Sequence, residues 1–305
     1  MEVVETGILV GQNAAELMEV NDLLRKVRKI ELKSRDISNH LFSGEILSLF
    51  KGRGMSFSEV REYQYSDDVR FIDWNVTART GVPFVKIYEE ERELTVMLLV
   101  DVSKSSFFGS GEMLKSELIT ELSAVLTFSA IQSNDKVGLI LFSDRIESYI
   151  PPAKGRNQTL RIIRELVDLE PAHSKTSING ALQFLNNVVK KNSICFLISD
   201  FLDENYARSM RVAGRKHDLI AIHVEDIAEQ RLPEAGLVRA IDPETGLEYW
   251  IDTASERFRK AYADNYLERM TKLRQVLGES KVDLINLTTG EDYVKKLLKF
   301  FKSRA

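Results

Sequence analysis

The sequence predicts an α/β protein with a doubly wound, mostly parallel sheet, preceded by an N-terminal α+β region. From residue 94 onward, short and nearly continuous apolar runs alternate with segments whose apolar residues recur every three or four positions. Such runs are typical of parallel strands buried on both faces, and the periodic segments are typical of helices that cover them. We therefore divide the chain into residues 1–93 and a sheet domain, residues 94–305.

In the N-terminal region, Ala14 to Glu31 carries apolar residues at helical spacing and predicts an amphipathic helix. From Ile46 to Tyr88 the pattern changes to short alternating segments, which predict strands and turns rather than helix. Gly and Pro residues separate these segments, at Gly52, Gly54, Gly81 and Pro83.

In the sheet domain, the apolar runs predict parallel strands at residues 94–100, 136–142, 193–199, 219–224 and 282–287. Helices are predicted at residues 112–132, 157–167 and 178–190. An extra strand at Glu147 to Ile150, ended by Pro151 and Pro152, is interpreted as an antiparallel edge. A Pro/Gly turn between alternating runs predicts an inserted hairpin near residues 236–251, which is a candidate contact element.

Composition excludes several classes of protein. The 305 residues are 44% hydrophobic and 29% charged, which is ordinary for a folded soluble protein. The net charge of -4 comes from interspersed acidic and basic residues, so we expect no nucleic-acid partner. No apolar run approaches the roughly 18 residues of a membrane span, and the N-terminus does not look like a secretory signal. We therefore expect a cytoplasmic protein.

Cysteine and histidine do not point to catalysis. The single cysteine, Cys195, lies in an apolar run and is interpreted as an inert core thiol rather than a nucleophile. The four histidines show no ligand-spaced pair and no Ser/His/Asp set. Among them, we expect only His173 to approach the loops described next, as an ordinary loop residue.

Oxygen-bearing side chains follow the predicted strands. Ligands of open α/β sheets bind beyond the carboxyl ends of the strands. Asp101, Ser103 and Ser105 follow the first strand, Asp200 follows the strand at 193–199, and Thr176 precedes the helix at 178. Carboxylate and hydroxyl oxygens suit hard cations. The pattern therefore predicts a site for Mg²⁺ or Mn²⁺ rather than Zn²⁺. Because two carboxylates only just balance a divalent charge, we expect an acidic side chain from another protein to complete the coordination shell.

The set Asp101-x-Ser103-x-Ser105, Thr176 and Asp200 resembles the metal-ion-dependent adhesion site of von Willebrand A-like domains, which have a Rossmann-type sheet. The resemblance covers residues from about Leu94 to Leu298. It implies a protein-binding site rather than a catalytic one. Lys175 precedes Thr176 and Phe201 follows Asp200, where the family usually has Gly.

The preceding segment resembles the bacterial "domain of unknown function 58" family, whose members join such a segment to a von Willebrand A-like domain. The matching motifs are Gly52–Phe57, Arg61–Tyr63, Asp67–Trp74, Ala78–Gly81 and Glu89–Arg92. Members of that family are commonly associated with MoxR-type AAA+ ATPases. The resemblance therefore implies an adaptor or chaperone-like partner of such an ATPase.

Two further segments have alternative interpretations. Charged and aromatic residues between Arg61 and Arg79 either form a partner-binding surface or pair with each other, cap turns and dock the segment on the main domain. The basic amphipathic run Tyr293 to Lys302 either lies on an anionic membrane or packs its Leu and Phe residues on the sheet.

Three functional hypotheses follow. The leading one is a non-enzymatic, metal-dependent interaction module. Its rival is a Mg²⁺-dependent phosphohydrolase that uses the strand-end aspartates. Ser103 argues against that rival, because it occupies the position of the second aspartate in an Asp-x-Asp hydrolase site. The third is a structural protein in which the site stays empty.

Overall fold

The computed structural model describes residues 28–37, 56–65, 67–89, 94–168, 175–242 and 246–304. The described residues fall into two compact units. One contains the residues between 56 and 94, and the other contains residues 28–37 together with the chain from Thr95. The boundary at 93/94 between two domains stays a prediction.

In the smaller unit, β1 (Ser56–Glu62) and β2 (Phe84–Glu89) form an antiparallel pair. Between them lie a 3-10 turn (Val69–Phe71) and the short helix α2 (Trp74–Thr80). The expectation of strands and turns alone is wrong at α2, because the Asp73 carboxylate accepts hydrogen bonds from the first backbone N–H groups and caps the helix. Gly81 ends this helix in a left-handed conformation.

The larger unit contains a six-stranded sheet, which confirms the predicted fold class. Its strands are β3 (Thr95–Asp101), β4 (Lys136–Phe142), β5 (Ile146–Ala153), β6 (Ile194–Ser199), β7 (Asp218–Glu225) and β10 (Asp283–Thr288). Their order across the sheet is β10-β7-β6-β3-β4-β5, and all neighbours are parallel except β4 and β5. The central strands are apolar and buried because helices cover both faces.

The antiparallel edge strand β5 is present as predicted, but it does not end at Pro151. It continues through both prolines to Ala153, which pairs with Val137. An edge strand is hydrogen-bonded on one side only, so it accommodates residues that lack an N–H group.

Helices cover the sheet in two layers. The helices after the small unit are α3 (Lys115–Gln132), α4 (Arg156–Asp168), α5 (Ile178–Val188), α6 (Ala207–Lys216), α7 (Ile227–Gln230), α8 (Glu256–Ser280) and α9 (Tyr293–Arg304). Buried residues of α5, α6 and α8 pack with Met97, Leu99 and Leu197 on one face. On the other face, Phe301 of α9 contacts Phe196 edge-on. Because Leu297 and Phe301 are buried, the packing interpretation of the C-terminal helix accounts for its apolar residues.

The N-terminal helix α1 is described over residues 28–37 and belongs to the larger unit. Ile30 packs against Ala124, Phe128 and Ile163, while Lys33 pairs with Glu121. The predicted helix ended at Glu31, six residues too early, and its beginning lies outside the described residues.

The inserted hairpin consists of β8 (Leu237–Ile241) and β9 (Glu248–Asp252), and both strands are largely exposed. Cys195 is fully buried in β6, and burial raises the pKa of its thiol. Within the described ranges, no helix combines the length and the apolar character that crossing a bilayer requires.

Candidate metal centre

The candidate centre lies where the sheet changes its direction of winding. Strands β3 and β6 are neighbours, although two strands and three helices separate them in the chain. In doubly wound sheets this switch point opens a crevice at the carboxyl ends of the strands. Asp101 is the last residue of β3, and Asp200 directly follows β6. The topology thus brings both predicted carboxylates to the same crevice.

Asp101 is a buried carboxylate with few donors. Its side-chain oxygens accept hydrogen bonds from Ser199 Oγ at 2.6 Å and from the Ser103 backbone N–H at 3.0 Å. Burial, and then repulsion by Asp200, raises its pKa to about 7, although the hydrogen bonds from Ser199 and Ser103 act in the opposite direction. Its surroundings therefore favour a cation beside this carboxylate.

The two serines of the motif lie together. Ser103 and Ser105 are both buried, and their hydroxyl oxygens are 3.0 Å apart. Ser103 is the residue before a 3-10 turn (Lys104–Phe107), which brings Ser103 and Ser105 to the same side. A further serine, Ser106, donates its hydroxyl to the backbone carbonyl of Asp101 and holds the loop against the end of β3. The loop thus presents two neutral oxygens beside the carboxylate.

Asp200 has a cationic partner, unlike Asp101. The Lys115 ammonium lies 3.0 Å from Asp200 Oδ2 and 2.7 Å from Glu229 Oε1, and the Lys115 side chain is only 1% exposed. Burial lowers the pKa of Lys115, but the two carboxylates outweigh this effect and the pKa is raised. The lysine is therefore charged. With all three carboxylates ionised, one ammonium leaves two negative charges, which is the charge that a divalent cation neutralises.

Thr176 precedes α5 and is half-buried. Its loop is held on both sides, because the Ser177 N–H donates to the Ser143 carbonyl and the Ile178 N–H donates to Asp203. Ser143 follows β4 and Asp203 lies three residues after Asp200, so the loop borders the same end of the sheet. Among the described residues, no hydrogen bond joins Thr176 to the other four candidate ligands. The structure thus links Asp101 to Ser103 and Ser103 to Ser105 by hydrogen bonds, and Asp200 is close enough to raise the pKa of Asp101.

Phe201 takes the conformation for which glycine is usual. Its φ angle is +54°, in the left-handed region, where a side chain costs roughly 1 kcal/mol or more. The ring is buried and packs near Tyr206 and His223, with ring centres 6.2 and 6.1 Å away. The loop after Asp200 therefore has the glycine-type turn without glycine, because burial of the ring offsets the strain.

The expectation that only His173 could approach these loops is wrong. His223 on β7 is the register partner of Ser199, is buried, and feels the charge of Asp200. His173 itself lies outside the described residues.

Sequence reasoning also missed Lys115, Ser199 and Glu229. Lys115 lies in the first turn of α3, where a positive charge is unfavourable to the helix dipole. This unfavourable position is the one feature of the sequence that could have indicated a role for Lys115.

Among the described residues, no three His, Cys, Asp or Glu side chains cluster as metal ligands. The candidate metal ligands instead combine two carboxylates with neutral hydroxyl groups.

The structure of the small unit shows how the charged and aromatic residues between Arg61 and Arg79 are arranged. Arg61 binds both carboxylate oxygens of Asp67 at 2.7 Å, and Arg70 pairs with Asp68. This confirms that these charges pair with each other. Tyr65 is fully exposed and Trp74 is 69% exposed.

Comparison with known proteins places the chain in a family. Residues 59–272 match the model of a family described as "Protein of unknown function DUF58". The uncharacterized protein Rv1480 of Mycobacterium tuberculosis is 30% identical over 288 residues, covering 92% of this chain and 90% of that protein.

The solved structures that match this chain are more distant in sequence. BatB from Bacteroides thetaiotaomicron is 15% identical, with a TM-score of 0.46 over 69% of this chain and 98% of that chain. The SpRpn10 VWA domain is 10% identical, with a TM-score of 0.40 over 68% and 95%. By its sequence the protein belongs to the DUF58 family, and its Asp-x-Ser-x-Ser loop lies at the switch point of a doubly wound, mostly parallel sheet.

Proposed function

We propose that this protein is a non-enzymatic interaction module that grips a partner protein through a divalent cation. Asp101, Ser103, Ser105, Thr176 and Asp200 hold Mg²⁺, or Mn²⁺ in its place, directly or through water. An acidic side chain of the partner completes the coordination shell.

One observation carries the proposal. Asp101 is buried at the switch point, beside two facing serine hydroxyls and a second carboxylate, and only neutral groups hydrogen-bond to it. A buried carboxylate without a cation is costly, whereas a hard cation would find four oxygen-bearing side chains there. With that cation bound, the net charge of the cluster falls to zero, and neutral ligands leave the metal able to attract an outside carboxylate.

For the partner, we propose a MoxR-type AAA+ ATPase or its client. This choice rests on the family resemblance and on the nature of the site, which is suited to binding rather than turnover. As an adaptor, the protein would bring the ATPase and its client together in a metal-dependent way. The site would act in the cytoplasm, consistent with the composition of the chain.

A phosphohydrolase is the weaker alternative. Such an enzyme needs a general acid or base close to the strand-end nucleophile. Ser103 lies two residues after Asp101, at the position where that acid would lie. The remaining carboxylate of the cluster, Glu229, accepts a hydrogen bond from the Lys115 ammonium.

Isothermal titration of Mg²⁺ tests the metal site. We expect saturable binding to the wild type and a loss of roughly 100-fold in affinity in Asp101→Ala and Asp200→Ala. Ser129→Ala is the matched control, since it removes a buried hydroxyl from α3 away from the strand ends. Unchanged Mg²⁺ affinity in Asp101→Ala and Asp200→Ala would refute the site.

Capture of a purified MoxR-type ATPase, with Mg²⁺ and then with a chelator, tests the partner. We expect capture only with the metal present and none by Asp101→Ala. Incubation with phosphoester substrates and Mg²⁺ separates the two functional classes. Turnover that Asp101→Ala abolishes would favour the hydrolase over the adaptor.

A further inference from the structure

A cleft runs away from the candidate metal centre along the larger unit. It has a volume of about 450 Å³, and its walls include both Ser105 and Asp200. Helix α8 contributes Met270 and Leu273 to the wall, and β8 contributes Ile241 at its end. A group bound at the cation would therefore be next to the cleft.

The rim of the cleft exposes large apolar side chains. Phe107 and Phe108 are 39% and 41% exposed, Leu202 is 42% exposed and Ile241 is 55% exposed. These residues come from three separate segments that surround one opening. Apolar residues gathered around a concave site are typical of binding surfaces.

The acidic groups inside the cleft already have partners. Glu225 accepts hydrogen bonds from Tyr266 at 2.6 Å and from Gln230 at 3.0 Å, and Glu229 pairs with Lys115. These carboxylates are therefore occupied by hydrogen bonds within the chain, and the exposed apolar side chains determine which side chain binds in the cleft. A polar side chain that entered the cleft would lose its hydrogen bonds to water, and these carboxylates would not replace them.

Two exposed cations stand at the edge of the same cleft. Lys104 and Arg269 both line it, and neither forms an ion pair with a carboxylate of the described residues. Their free charges complement a negatively charged segment and would steer it toward the opening. The cleft thus combines exposed apolar side chains with two exposed cationic side chains and adjoins the candidate metal centre.

From this arrangement, and resting on the proposed function, we infer that the partner binds through an acidic segment in which a large apolar side chain lies within two residues of the metal-binding carboxylate. The carboxylate reaches the cation, and the apolar side chain enters the cleft between Phe108 and Ile241. The occupant is thus a polypeptide with an acidic residue followed or preceded closely by Leu, Ile, Met or an aromatic residue.

A displayed peptide library tests this inference. The library has the form Gly-Gly-Xaa-Xaa-Glu-Xaa-Xaa-Gly-Gly and is selected on the full-length protein in Mg²⁺, with elution by a chelator. A matched library carries Gln in place of the fixed Glu. We expect recovery from the Glu library only, with large apolar residues enriched at one or more Xaa positions.

The outcomes separate the two ideas. Recovery of Glu peptides without any apolar preference would overturn the role of the cleft and leave the proposed function standing. Equal recovery from both libraries, or no chelator-sensitive peptide from either, would overturn both.

Substitutions in the cleft give a second test, with a selected fluorescein-labelled peptide as the probe. We expect Ile241→Ser and Phe108→Ser to weaken peptide binding roughly tenfold while Mg²⁺ affinity without peptide is unchanged. Val212→Ser is the matched control, because Val212 is 52% exposed on α6 and does not line the cleft. Peptide affinities equal to the wild type in both cleft variants would contradict the inference.

Discussion

Two buried aspartates at the same end of the sheet differ in what surrounds them. Asp226, after β7, accepts hydrogen bonds from the Ser110 N–H and hydroxyl, the Ala228 N–H and the Thr289 hydroxyl. Burial raises its pKa, but these four hydrogen bonds outweigh burial and the pKa is lowered. Asp101, after β3, accepts hydrogen bonds only from Ser199 and Ser103 and has a neighbouring carboxylate, and its pKa is raised.

The difference separates a structural carboxylate from a binding one. Asp226 joins the loop after β3, the start of α7 and the loop after β10, so its charge is fully used within the chain. When Asp101 is ionised, the described part of the chain supplies no cationic partner that balances its charge. The comparison predicts that changes at Asp226 act on stability, whereas changes around Asp101 act on cation binding.

The largest effect is expected at Lys115, which pairs with the candidate metal ligand Asp200. Lys115→Met leaves Asp200 and Glu229 without their ammonium partner, and removing one member of a buried ion pair costs about 3–5 kcal/mol. Urea unfolding without divalent ions should show this loss. Because the cluster becomes more negative, Mg²⁺ should bind more tightly and restore part of the stability.

An exposed lysine of the same unit, Lys104, provides the control for this variant. Lys104→Met should leave the free energy of unfolding nearly unchanged, since the Lys104 side chain lies in solvent. A stability loss in Lys115→Met that Mg²⁺ does not reduce would contradict the electrostatic coupling.

A smaller loss is expected at Asp226. Asp226→Asn replaces a carboxylate that accepts four hydrogen bonds with an amide that accepts fewer, so the free energy of unfolding should fall by about 1–3 kcal/mol. Mg²⁺ affinity, measured by titration calorimetry, should change far less than in Asp101→Ala. Comparable losses of Mg²⁺ affinity in the two variants would remove the distinction between the aspartates.

The stabilisation by Mg²⁺ should depend on pH. The folded pKa of Asp101, about 7, lies above its ordinary value of 3.8, so without metal this group makes the protein less stable as pH rises through that window. Mg²⁺ binds the ionised form. The rise in melting temperature caused by Mg²⁺ should therefore be greater at about pH 8 than at about pH 6.

Differential scanning calorimetry at the two pH values measures this dependence. In Asp101→Asn the difference between the two pH values should disappear. A rise in melting temperature that is the same at both pH values in the wild type would count against Asp101 as a ligand.

The smallest effect is expected at a neutral ligand. Ser105→Ala removes one hydroxyl, which water replaces in the coordination shell, so Mg²⁺ should bind only roughly tenfold more weakly. Ser129→Ala is the matched control, because its hydroxyl donates to the Val125 carbonyl within α3. A Mg²⁺ affinity in Ser105→Ala as high as in Ser129→Ala would contradict the assignment.

The sheet could be predicted from sequence because its strands are apolar on both faces, and β4 has the predicted bounds, residues 136–142. The residues that contact the candidate ligands from other elements could not be predicted in this way. Ser199 reaches Asp101 only because β6 lies next to β3, and lateral strand order leaves no local pattern in the chain. Lys115 is a similar case, since its ion pairs join residues 85 and 114 positions apart.

The same reasoning explains the local errors. Helix α2 depends on the Asp73 cap rather than on apolar spacing, and its residues are not buried. The prolines of β5 look like a strand end unless the strand is known to have a free side.

Thermal melting of the wild type and Asp101→Asn, with and without Mg²⁺, tests the central claim most directly. At about pH 8 and without metal, where Asp101 is ionised, Asp101→Asn should melt at a higher temperature than the wild type, because it removes a buried charge that the chain leaves uncompensated. Mg²⁺ should raise the melting temperature of the wild type and leave that of Asp101→Asn unchanged. An equal rise in both proteins would contradict the claim that Asp101 binds the cation.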